Sequence, residues 1–193
     1  MRILRRLLST LIICAFVTAP ATALACTLWA AAGDSVVGGG TLLGKNYDWV
    51  PDHKLQLRIL ARGGYRVVSL YAVGKGRPGT RAGINEKGFV IVRASPPSYL
   101  EVPENYKGVT NVNKVLSRYA GVAEALAALE AGKWKMGPGF AVLADGKEIA
   151  SVEVGLNGAY VIAGRTLSGV VYHTNHYLEP GFAAFYQGGS NSS

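Results

Sequence analysis

The chain has 193 residues, a formal net charge of +8, and 49% hydrophobic against 17% charged residues. That balance supplies a packed core and excludes a disordered chain. The positive charges are scattered, as in Arg58, Arg62, Arg66, Lys75, Arg77 and Arg81, without an interleaved aromatic stripe, which argues against a nucleic-acid partner.

In chain order, a basic start at Met1–Arg6 leads into an apolar run, Leu7–Val17, too short to span a bilayer comfortably. Ala23-Leu24-Ala25 carries the small-residue spacing after which a signal peptidase cuts. Residues 1–25 are therefore expected to be a signal peptide, and residues 26–193 one domain, periplasmic or secreted, with no stable membrane span. Cleavage removes Cys14 and leaves Cys26 as a lone thiol and the first residue of the mature chain. No intrachain disulfide is then possible, although exported proteins usually pair their cysteines.

Thr27–Ala32 reads as a buried strand, and Thr41–Lys45 as its return after Gly33-Asp34 and Gly38-Gly39-Gly40, giving an N-terminal hairpin. Leu55, Leu57 and Ile59 alternate with polar residues as a strand does. Gly63-Gly64 turns the chain into a strand over Arg66–Val73. Gly83–Gly88 reads as turn-rich, and Phe89–Val92 as a strand. Val112, Val115, Leu116 and Tyr119, then Val122, Ala125, Leu126 and Leu129, carry helical spacing. Gly121 separates these two helices, Gly132 ends the second, and Thr110 is the expected N-cap of the first. Strands follow over 140–144, 149–154, 160–163 and 170–173, with turns at Asp145-Gly146, Asn157-Gly158 and Gly164. Strands, two helices and strands in that order give an α+β fold.

A cysteine at a chain terminus combines a thiol, titrating near ~8.5, with an α-amine near ~7.7–8.0. The amine can serve as the base for its own nucleophile. It needs a carboxylate to orient it, and the reaction needs donors for an oxyanion. The hairpin returns Asp48 towards Cys26 and so supplies the carboxylate. The competing reading is a non-catalytic envelope lipoprotein lipidated on Cys26. A lipoprotein signal wants Leu three residues before the cysteine and a small residue two before, and Ala23 and Leu24 hold those places in reverse.

Gly39 to Lys45 is a near P-loop, but Asn46 replaces the magnesium-binding Ser or Thr and no helix follows. His173, His176 and His53 lack an acidic partner at metal-ligand spacing, so neither a metal nor a cofactor is expected. No Gly-x-Ser-x-Gly elbow is present.

Four blocks carry a resemblance: Cys26-Thr27-Leu28-Trp29 through Gly44-Lys45-Asn46-Tyr47-Asp48-Trp49, then Ala82–Gly88, then Gly139–Asp145 with Ile149–Glu153, and finally His173-Thr174-Asn175-His176. In this order they resemble the linear amide hydrolases of the choloylglycine hydrolase superfamily, above all the isopenicillin-N acyltransferase-like group. The resemblance implies an N-terminal-nucleophile (Ntn) αββα sandwich, two antiparallel sheets flanked by helices. It makes Cys26 nucleophile and base, Asp48 the partner of the α-amine, and Asn175 an oxyanion donor. Lys45 stands where bile salt hydrolases often have Arg, and Asn46 and Tyr47 belong to the same block. Ser95 stands where those enzymes place a second amide donor. The implied substrate is a small linear amide such as an N-acyl amide, penicillin V or a conjugated bile salt, cleaved by water or passed to an amine, in a possible homo-oligomer. The family also has a late Arg beyond a Ser-Ser pair. This chain stops at Ser192-Ser193, so its last strands are expected to be missing.

Overall fold

The computed structural model of the protein describes residues 26–48, 53–61, 63–74, 78–96 and 109–185. The expected signal peptide and the polar tail from residue 186 lie outside them. The strands are β1 (Thr27–Ala32), β2 (Thr41–Asn46), β3 (His53–Leu60), β4 (Val67–Gly74), β5 (Gly79–Asn85), β6 (Val90–Ala94), β7 (Gly139–Ala144), β8 (Ile149–Val154), β9 (Tyr160–Thr166) and β10 (Gly169–His173). The helices are α1 (Val112–Arg118) and α2 (Val122–Glu130). Every strand pairing is antiparallel. One sheet runs β10-β1-β2, and the other runs in sequence order from β3 to β9.

Strand alternation decides how the layers pack. On β7, Phe140, Val142 and Ala144 turn towards the small sheet and join Leu28, Ala30 and Ala32 of β1 in one core. The intervening Ala141 and Leu143 join Val115, Leu116, Val122 and Leu126 of the helices in the other. The seven-stranded sheet is thus covered by helices on one face and by the small sheet on the other. The α+β architecture with two antiparallel sheets is the expected one. Among the described residues the helices cover only one face of the sandwich. The outer face of the small sheet presents Trp29, Leu42, Val170 and Tyr172 to solvent.

Three local readings are corrected. Gly83 is in the interior of β5, not in a turn, and the turn is confined to Glu86 and Lys87. A Cβ at Gly83 would lie 2.6 Å from Leu116 Cδ1 and 3.2 Å from the Val68 carbonyl oxygen, so close packing under α1 explains this glycine. Gly164 likewise continues β9, beside an irregularity where Ser151 pairs with Gly164 and Val152 with Ile162. The N-cap of α1 is Asn111, whose side chain accepts from Asn113 N at 2.8 Å. Thr110 instead exchanges hydrogen bonds with Lys135, accepting at Oγ1 from its N–H and donating its own N–H to its carbonyl.

Asn85 fastens the β5–β6 hairpin to the helices. Its Nδ2 donates to the carbonyls of Leu116 and Tyr119, both at 2.8 Å. Its Oδ1 accepts from Lys87 N at 2.9 Å and Phe89 N at 3.0 Å.

Candidate active site

The β1–β2 hairpin assembles the site. Thr27 pairs with Asn46, so Cys26, one residue before Thr27, and Asp48, two residues after Asn46, come together at the open end of the hairpin. Cys26 is buried and free, and its Sγ donates to the Asp48 carbonyl oxygen at 3.4 Å. This proximity follows from the hairpin. The contact is to the Asp48 backbone.

Cys26 opens onto a cleft of about 260 Å³ lined by, among others, Lys45, Tyr47, Arg81, Arg93 and Ser95. A larger cleft of about 870 Å³ lies on the helical layer, beside Lys114, Arg118 and Trp134. It holds no thiol, so chemistry rather than size selects the smaller one. On β2, Lys45 turns inward and Asn46 outward. Asn46 is exposed and is not part of the cleft wall. The Lys45 ammonium donates to the Arg93 carbonyl and sits 4.6 Å from the centroid of the Tyr47 ring. Burial pushes the Lys45 pKa down to about 8, nearby Arg81 and Arg93 push the same way, and Cys26 opposes them.

Arg81 and Arg93 escape the sequence reading. Leu70 pairs with Ala82 and Tyr71 with Thr80, which leaves Arg81 as the extra residue of a β-bulge. Bulges re-aim side chains, and Arg81 Nε donates to the Tyr47 hydroxyl at 3.3 Å. A bulge has no local signature in this stretch. Arg93 had one, a single charge ending an apolar strand. It donates to the carbonyls of Gly137 (2.8 Å) and Pro138 (3.4 Å) across the cleft.

Asn175 is buried, and its Nδ2 donates to the Ser95 carbonyl. That bond joins Asn175 to Ser95, a residue of the cleft wall. Asn175 Oδ1 is buried without a hydrogen-bond partner. His173 Nδ1 lies 2.6 Å from the Thr174 carbonyl oxygen, and His176 Nδ1 lies 3.2 Å from Thr174 Oγ1. Among the described residues no three His, Cys, Asp or Glu side chains group as metal ligands.

Two packed antiparallel sheets backed by helices, with a thiol at the head of the small sheet's central strand, define an Ntn-type acyltransferase or amide hydrolase fold. The chain belongs to the acyl-coenzyme A:6-aminopenicillanic acid acyl-transferase family, whose profile matches residues 36–193. The match takes in Lys45, Asp48 and Asn175 and begins after Cys26. No curated protein matches the sequence significantly.

Proposed function

We propose that Cys26 is the nucleophile of an acyl transfer from a linear amide, with an acyl-thioester on its sulfur. The observation that carries this reading is the buried thiol opening onto a cleft with three cationic side chains. Export and cleavage after Ala25 would free the α-amine of Cys26, which Asp48 orients and which takes the thiol proton. The sulfur attacks the amide carbonyl, an S–C bond forms, and the Asn175 amide and the Lys45 ammonium stabilise the oxyanion. Collapse breaks the C–N bond, and the proton held by the α-ammonium passes to the leaving amine. Water then cleaves the thioester and releases an acid, or an amine acceptor takes the acyl group. Family membership supports both outcomes equally. Tyr47 and Ser95 line the substrate path.

Lys45, Arg81 and Arg93 line the cleft and suit an amide carrying a carboxylate. N-acyl amino acids, penicillin V and conjugated bile salts share that feature.

The test uses the exported, processed protein and a panel of such amides. An acyl adduct on Cys26 by intact mass, together with a Cys26→Ser variant that folds but loses at least ~10²-fold in kcat, is the expected result. Wild-type turnover in that variant sinks the mechanism. A diacylglyceryl mass on Cys26 supports the lipoprotein reading instead. Added amine acceptors separate transfer from hydrolysis.

A further inference from the structure

Glu153 and His173 are both fully buried, and their strand partners are the buried apolar residues Phe140 and Leu28. Charged groups rarely persist in such a place without partners. Here Glu153 Oε1 lies 3.0 Å from His173 Nε2. The approach lacks a hydrogen-bond angle, and Nε2 has no directed partner, so the contact is a close approach of two polar groups rather than a formed hydrogen bond. Phe140 stacks on the imidazole with ring centroids 4.0 Å apart. The remaining capacity of the carboxylate goes to the backbone. Leu178 N donates to it at 3.0 Å and Glu179 N at 3.2 Å. Nearby, the Tyr177 hydroxyl donates to the Val154 carbonyl at 3.0 Å.

These contacts tie the segment from His173 to Glu179 to β8 at both of its ends. Asn175 lies between the ties, and its amide reaches Ser95 on the cleft wall. An apolar pair would fill the same volume without burying charge, and replacing buried ion pairs by apolar residues is often neutral or stabilising. What an apolar pair could not do is hold two backbone N–H groups of a loop that carries a reacting amide.

We propose that Glu153 and His173 are positioning residues that act through Asn175, setting its amide for the oxyanion. This rests on the reading of Cys26 and Asn175 given above. A Glu153→Gln substitution replaces one acceptor oxygen with an NH₂ donor facing backbone N–H groups and removes the charge opposite His173. The processed Glu153→Gln protein should lose at least ~10-fold in kcat while KM stays within about twofold. The rate of Cys26 alkylation by iodoacetamide should be unchanged, because the variant leaves the thiol in place. Tyr177→Phe removes one hydroxyl tie from the same segment and should lower kcat in the same direction by a smaller factor. It keeps the test open if Glu153→Gln does not fold.

Wild-type kcat in a folded Glu153→Gln protein, or in Tyr177→Phe when Glu153→Gln does not fold, overturns the proposal. So does a parallel loss of kcat and Cys26 alkylation, which indicates general disruption. If Cys26→Ser keeps wild-type turnover, the underlying reading fails first. That result is distinct from a positioning failure, in which Cys26→Ser is inactive and Glu153→Gln is not impaired.

Discussion

Replacing Asn85 with Ala removes one side chain and disconnects four backbone groups. The Leu116 and Tyr119 carbonyls sit at the C-terminal end of α1, where helix carbonyls have no partner within the helix. Phe89 N is buried with them, whereas Lys87 N is partly buried and can bind water in the variant. Three buried groups left unsatisfied, each costing about 1–3 kcal/mol, put the loss at roughly 3–5 kcal/mol once partial relaxation is allowed. Against a typical total of ~5–15 kcal/mol this is a large fraction. Urea unfolding of wild type and variant should show the midpoint shift at an unchanged m-value. Asn85→Asp sharpens the test. The carboxylate still accepts from Lys87 and Phe89 but sets charge against two carbonyls, so it should be no more stable than the alanine variant. A loss below about 1 kcal/mol, or an aspartate variant close to wild type, would refute this account of the hairpin–helix junction.

Lys45 makes a prediction in pH. Its pKa falls from 10.5 to about 8 on folding, so between those values the unfolded chain holds a proton that the folded chain has released. Stability therefore rises with pH across that window, and the penalty for burying the ammonium is fully present below about 8. At ~1.36 kcal/mol per unit the effect is at most about 3 kcal/mol. Lys45→Met should flatten this rise in urea unfolding measured from pH 7 to 10.5, and parallel curves for the two proteins would show the burial account to be wrong. Gly83→Ala should cost about 1–3 kcal/mol, since the added methyl meets Leu116 and the Val68 carbonyl. Thermal melts that leave Tm unchanged would mean that α1 shifts freely, against the packing described here.

The hairpin and both helices were legible because their signals are local. A period of two with glycine turns gives β1 and β2, and i, i+3, i+4 spacing gives α1 and α2. Gly83 and Gly164 were misread for a physical reason. A glycine demanded by a close approach or a strand irregularity looks, in sequence, like one demanded by a turn. Cys26, Lys45, Asp48 and Ser95 come together because three of them sit on or beside one hairpin. Arg81 was invisible because a bulge depends on the register of its partner strand. Glu153 and His173 were legible as residues but not as a pair, since only the stacking of the two sheets brings β8 against β10.

The site and the fold pull against each other at Lys45. An ammonium pushed down to about 8 by burial and by two neighbouring guanidinium groups is unfavourable in the folded protein. Tyr47 and the Arg93 carbonyl give it polar contact, but neither supplies a negative charge. The one neighbour that favours its charge is Cys26, and only as the thiolate. A thiolate formed there during the reaction would keep Lys45 charged. On the proposed mechanism an anionic substrate entering beside Arg81 and Arg93 relieves the same repulsion. Binding would then raise the Lys45 pKa and strengthen its attraction for the oxyanion at the step where that charge appears. A buried ammonium is thus costly in the folded protein and better matched to the transition state, which is the direction in which differential binding accelerates a reaction.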